Sequence, residues 1–186
     1  MTGMNLSPER SALAIIDIQE RLVAAMPEAE RERCVKNAAI LAEAAGLLGV
    51  PVLVSEQYPK GLLHTVAPIA EKLPEGTQVI EKVEFDACAN GDFAAKLDAL
   101  GRDQVILTGM EAHICVFQTA RGLVETGRTV HVAYDATCSR LVEHRDAARE
   151  LWAKVGAVPT ITETVLFDWL GKAGGDAFKT ISKLIR

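Results

Sequence analysis

Short apolar runs alternate with helix-forming stretches along nearly the whole chain, and this alternation limits the fold more than any other feature. Residues 11–18 (SALAIIDI) are apolar at successive positions, not at every second one. A strand of that kind is covered on both faces, which calls for a parallel sheet. Comparable runs recur at 51–57 (PVLVSEQ), 77–85 (TQVIEKVEF), 104–109, 128–136 (RTVHVAYDA) and 157–162 (AVPTIT). Between them, residues 28–48, 92–100, 115–125 and 142–155 carry apolar side chains at helical spacing, with Gly49, Gly101 and Gly127 as stops. The pattern predicts an α/β protein: a doubly wound, six-stranded parallel sheet inside a three-layer α/β/α sandwich. The long connection at 58–76 contains a short helical piece and is a candidate wall of a site.

Composition narrows the function. The 186 residues fit one domain, 1–186, ending in a helical tail at 163–186 that Gly174 and Gly175 divide. A formal charge of −5 and the lack of any basic tract longer than two residues argue against a nucleic-acid partner. Four cysteines without a C-x-x-C pair fit a reducing compartment. The polar lead MTGMNLSPER has no secretory pattern and no apolar run reaches membrane-spanning length, so a cytoplasmic protein without a membrane partner is expected.

Ligands of open parallel sheets bind beyond the carboxyl ends of the strands. Asp17 ends the first run, Lys82 ends QVIEK, and Cys115 follows VILTG at the start of a helix. Converging N–H groups and the helix dipole favour a thiolate there. Taken singly, each residue has an ordinary reading as well: a packing cysteine, a capping aspartate, a solvated lysine. Taken together they make a nucleophile, a proton acceptor and a cation, with backbone N–H groups of the turn from Met110 to Cys115 as oxyanion donors. The four histidines, His64, His113, His131 and His144, show no metal-binding spacing, and no glycine-rich phosphate loop follows the first strand. Neither a metal nor a cofactor is expected. Cys34, Cys88 and Cys138 read as packing residues, with Cys138 also placed to rim a pocket.

LAIIDIQERL, EKVEFDA, TGMEAHICVFQTA and VAYDATCSR, in that order and spacing, resemble the isochorismatase-like cysteine hydrolases. SEQYPKGLLHTVAPI and the tail resemble the isochorismatase domain-containing branch. The resemblance implies a Rossmann-like topology and a catalytic triad of Asp17, Lys82 and Cys115. It also implies a non-proline cis peptide between Met110 and Glu111, oxyanion donors at the N–H groups of Glu111 and Cys115, and a homo-oligomer. Gln19, Gln57, Tyr58 and His113 are expected to line the pocket. Two departures shape the reading: the region after the second strand lacks the histidine pair of the nicotinamidase metal cluster, and true isochorismatases lack the cysteine. The expectation is a metal-independent hydrolase of a small amide or other C–N acyl bond through a thioester on Cys115. The alternatives are a nicotinamidase-like amidase, a thiol-redox protein pairing Cys115 with Cys138 or Cys88, and an idle binding scaffold.

Overall fold

The structure, a computed structural model, describes residues 4–186; Met1, Thr2 and Gly3 of the polar lead lie outside the described residues. Six strands form one parallel sheet: β1 (Ser11–Ile16), β2 (Val52–Gln57), β3 (Gln78–Lys82), β4 (Gln104–Met110), β5 (Thr129–Cys138) and β6 (Val158–Thr160). Their order is β3-β2-β1-β4-β5-β6, so the direction of strand addition reverses between β1 and β4. That reversal is the switch point at which such sheets open a crevice.

The continuous apolar runs follow from burial on both faces. Leu13 and Ile15 of β1 enter one core, while Ala12, Ala14 and Ile16 enter the other. The first core is roofed by α2 (Glu28–Leu48), α8 (Thr162–Leu170) and α9 (Gly175–Leu184), which supply Leu41, Leu166, Trp169 and Ile181. The second is roofed by α5 (Gly91–Ala99), α6 (Phe117–Glu125) and α7 (Val142–Lys154), with Phe93, Leu123 and Trp152. Each such large side chain, fully buried, contributes roughly 1.5–3 kcal/mol from burial. Helix α2 ends where Gly49 takes a left-handed φ of 68°, as its place after the alanine stripe predicts.

Several boundaries differ from the sequence expectation. Strand β1 stops at Ile16 because Asp17 adopts φ 53°, a conformation that ends a strand. The five-residue helix α1 (Glu20–Ala24) buries none of its residues, so no apolar periodicity marked it. The long connection holds two short helices, α3 (Pro59–Leu62) and α4 (Ala67–Ala70), where one piece was expected. After β4 the chain does not open a helix near Cys115: a π-type turn (Ala112–Val116) comes first and α6 follows it. In the tail, Leu166 and Trp169 bury against their own sheet and the Trp169 Nε1–H donates to Ser11 Oγ at 3.0 Å. Phe167 stays 42 % exposed, edge-on to Phe178.

Candidate active site

The carboxyl ends of β1, β3 and β4 converge on the face of the sheet covered by α5, α6 and α7. Asp17, one residue past β1, is fully buried. The Lys82 Nζ donates to Asp17 Oδ2 at 2.6 Å, and both side chains are closed to solvent. A buried carboxylate without partners is costly, and here β2 and β3 each supply one. Ser55 Oγ donates to Asp17 Oδ1 at 2.7 Å, and the Cys115 thiol lies close enough to the same carboxyl group for each to shift the other's proton affinity. The Lys82 ammonium has three donors and three acceptors: Asp17, the Gln57 Oε1 at 2.8 Å and the Glu84 carbonyl at 3.1 Å.

Gly109 lets these elements meet. Its φ is 138°, and a Cβ built there would lie 2.1 Å from the Ile16 carbonyl oxygen. Only glycine allows β4 to pass so close to the end of β1. Beyond it, the Met110–Glu111 peptide is cis, and the Glu111 backbone pulls the Cys115 thiol downward against its burial.

Burial pushes Asp17 above the usual carboxylate range, against the opposing pull of Lys82. Burial, followed by the Asp17 charge, pushes the Cys115 thiol up to about 12. The dipole argument from sequence, which favoured a resting thiolate, is corrected by this: desolvation outweighs the turn's N–H groups, and the proton stays on sulfur at rest. Cys115 is 7 % exposed.

The residues expected to line the pocket divide. Gln19 is not a wall but a clasp: fully buried, it accepts the Gln57 N–H at 2.7 Å and donates to the carbonyls of Gln57 (3.1 Å) and Leu63 (2.6 Å). Gln57 bonds Lys82 directly. Tyr58 is exposed and lines a cleft of about 310 Å³ with Glu81, Val83, Glu84 and Asn90; Lys82 shows this cleft only its backbone. His113 turns away, with its Nδ1 3.0 Å from Ser139 Oγ and its ring against His144. Cys138 is fully buried and does not rim a pocket. Among the described residues, no group of three or more His, Cys, Asp or Glu side chains is gathered for a metal ion. Sequence reasoning missed Ser55. Its signal is a polar residue two positions before Gln57 in an otherwise apolar run, on the same face of the strand.

A doubly wound sheet with a thiol, a carboxylate and an ammonium gathered at its switch point defines an α/β protein with a cysteine-centred site. The family model described as Isochorismatase domain matches residues 11–164, and the chain belongs to that family. Isochorismatase domain-containing protein 1 of Danio rerio is 36 % identical over 182 residues, covering 98 % of this chain. The chain spans only 63 % of that relative's length. A solved structure of MAR1 ribonuclease from Caenorhabditis elegans is 35 % identical, with a TM-score of 0.91 over 97 % of this chain and 92 % of that one. The YcaC gene product of Escherichia coli, an octameric hydrolase of unknown specificity, shares the fold at a TM-score of 0.91 and 20 % identity, over 99 % of this chain and 92 % of its own. No helix among the described residues is long and apolar enough to cross a membrane.

Proposed function

We propose that the chain is a metal-independent cysteine hydrolase that cleaves a small amide or other C–N acyl bond through a thioester on Cys115. Family membership supports hydrolysis in general. The observation that carries the finer reading is the buried constellation itself: a thiol electrostatically coupled to a carboxyl group that is ion-paired to Lys82 at 2.6 Å, with all three residues buried. A buried ion pair is a weak device for stability, so its retention beside a thiol points to chemistry.

The thiol proton passes to Asp17 as sulfur attacks the carbonyl carbon. Raising Asp17 above its usual range narrows the gap to the thiol and makes that transfer cheaper. Once Asp17 is neutral, the Lys82 charge faces the developing thiolate. The N–H groups of Glu111 and Cys115 are the donors for the tetrahedral oxyanion. Collapse returns the proton from Asp17 to the leaving amine, and water, deprotonated by Asp17, then hydrolyses the thioester. All 186 residues are read as one hydrolase domain including the helical tail, in a cytoplasmic homo-oligomer. The octameric assembly of the Escherichia coli neighbour supports association.

Incubation with a panel of small primary amides, with a parallel RNA arm, tests this. The parent protein is expected to release ammonia and form a hydroxylamine-sensitive adduct on Cys115, and Cys115→Ala to do neither. Equal turnover by both proteins, or an unreactive Cys115 in the native protein, would sink the proposal. RNA cleavage surviving in Cys115→Ala would move the chain to a ribonuclease reading, which a net charge of −5 disfavours.

A further inference from the structure

Strand β2 contributes no member of the Asp–Lys–Cys constellation, yet it touches both charges. Ser55 and Gln57 are two residues apart on it, so their side chains share a face. Parallel pairing sets Ser55 beside Ile16, the residue before Asp17, and Gln57 beside Lys82. From those positions Ser55 Oγ donates to Asp17 Oδ1 at 2.7 Å, and Gln57 Oε1 accepts from Lys82 Nζ at 2.8 Å. Neither contact can reverse its sense. A carboxylate only accepts, and an ammonium only donates. The Gln57 amide is held in the required orientation because its Nε2 donates to the Val83 carbonyl at 2.9 Å. Its backbone is clasped by Gln19, whose other bond runs to Leu63.

We infer that Ser55 and Gln57 are positioning residues that set the charge of the buried pair, Ser55 holding Asp17 as the carboxylate and Gln57 holding Lys82 as the ammonium. The alternative state of an isolated buried pair is neutral: the proton moves from Nζ to the carboxyl, and the Coulomb and desolvation penalties vanish together. A protonated Asp17 cannot take the Cys115 proton, so that neutral state is idle. Two hydrogen bonds that are stronger to the charged forms than to the neutral ones tip the balance against it. The other titratable groups facing the pair are the Cys115 thiol, from the turn after β4, and Glu84, whose carboxylate is bonded to Asn90. Glu56, between Ser55 and Gln57, turns to the opposite face, where it binds Thr65 and His64.

The inference rests on the proposed reading of Cys115, and its test needs no substrate. The alkylation rate of Cys115 by iodoacetamide is followed by mass spectrometry from pH 4 upward, where its rise reports the loss of the Asp17 proton. Gln57→Leu removes the acceptor and is expected to move the midpoint upward by roughly one pH unit, a tenfold loss of rate below it. Gln57→Met keeps the volume and removes the acceptor without adding a charge. A residue that merely fills space would leave that variant's profile in place, whereas a charge-setting residue moves its midpoint up as well. Ser55→Ala is expected to shift it in the same direction. If Gln57→Leu does not fold, Gln57→Met and Ser55→Ala decide. Unchanged midpoints, or slower alkylation at all pH values without a shift, overturn the inference. Asp17→Asn and Lys82→Met run alongside: if they change the profile while the β2 variants do not, only this inference fails. If no variant changes it, the triad reading fails too.

Discussion

Cys115 and Cys88 are two thiols of this chain that each have an aspartate at hand and a cation nearby. Burial and a carboxylate push both up to about 12, and a basic residue pulls each back, Lys82 in one case and Arg128 in the other. By local electrostatics they are twins. Their neighbours differ in what else they do. Asp86 accepts the Cys88 N–H at 2.8 Å as the cap of a 3₁₀ turn, and it lies against α6 where a Cβ on Gly122 would come within 2.6 Å of its oxygen. Arg128 pairs with Asp98 and not with Asp86. Around Cys115, by contrast, Asp17 and Lys82 are bonded to each other, and the Glu111 backbone pulls the thiol downward. A proton acceptor that is itself ion-paired to a buried lysine separates a candidate nucleophile from a packing thiol; a perturbed pKa alone does not.

The hardest test of that contrast is turnover. Once a hydrolysed amide is in hand, Cys115→Ala and Asp17→Asn are each expected to lower kcat by roughly 10³-fold or more, since members of one catalytic unit fail together. Cys88→Ala is expected to stay within about a factor of two, as substitutions remote from the chemistry do. A comparable loss in Cys88→Ala would abolish the distinction.

Next in size is the access that the backbone gives to one site and not the other. Gly109→Ala would place a Cβ 2.1 Å from the Ile16 carbonyl oxygen, in a backbone conformation that alanine rarely adopts. Neither atom belongs to a flexible side chain, so strands β1 and β4 must part. We expect a loss of roughly 3 kcal/mol in urea denaturation, at the upper end of overpacking costs. Gly122→Ala, beside Asp86, meets only a side-chain carboxylate and is expected to cost less. A Gly109→Ala variant of parental stability and activity would show that the close approach at the switch point is not needed.

How much of this was legible follows the same division. Alternating strands and helices were readable because both faces of the sheet are buried, which leaves runs such as 11–16 apolar at every position. Asp17, Lys82 and Cys115 stood out as reactive residues at strand ends, and the resemblance placed them together. Strand pairing decided the rest. Ser55 touches Asp17 only because β2 lies in register beside β1, and no spacing along the chain encodes that register. Gln19 and Gln57 looked like pocket walls; the Gln19 bond to Leu63 appears only once loop 58–65 folds back, and the Gln57 bond to Lys82 only once β2 pairs with β3. The π-type turn before α6 carries no periodic signal, and so the helix was expected to begin at Cys115, inside that turn and two residues before α6.

Stability at high pH is expected to treat the twins alike. A thiol with a raised folded pKa keeps its proton longer in the folded state than in the unfolded one. Stability is therefore unaffected below about pH 9, the unfolded value, and falls as the pH rises toward about 12. The slope is at most about 1.4 kcal/mol per pH unit for each thiol. Urea midpoints at pH 8, 9 and 10 are expected to fall less steeply in Cys115→Ala and in Cys88→Ala than in the parent, by similar amounts. Lysines and tyrosines titrate in the same range in all three proteins and cancel. A flattening confined to one variant would mean that the two burial environments are not equivalent.

The smallest effect has the most informative sign. Asp86 raises the Cys88 thiol through its charge and its hydrogen bond, so Asp86→Asn is expected to let that thiol titrate lower and to speed its alkylation at pH 8 a few-fold, roughly. Folding changes by no more than a few tenths of a kcal/mol, because Asn caps about as well as Asp. Asp17 raises Cys115 in the same electrostatic sense. If that were its whole role, Asp17→Asn would likewise speed alkylation of Cys115. As proton acceptor it has the opposite effect: without it, the thiol must lose its proton to hydroxide, and alkylation near neutral pH becomes slower and first-order in hydroxide. Opposite signs for the two Asp→Asn substitutions, read by peptide mass mapping of one reaction mixture, are what the proposed chemistry requires. Acceleration at both thiols would reduce Asp17 to a charge that merely disfavours ionisation.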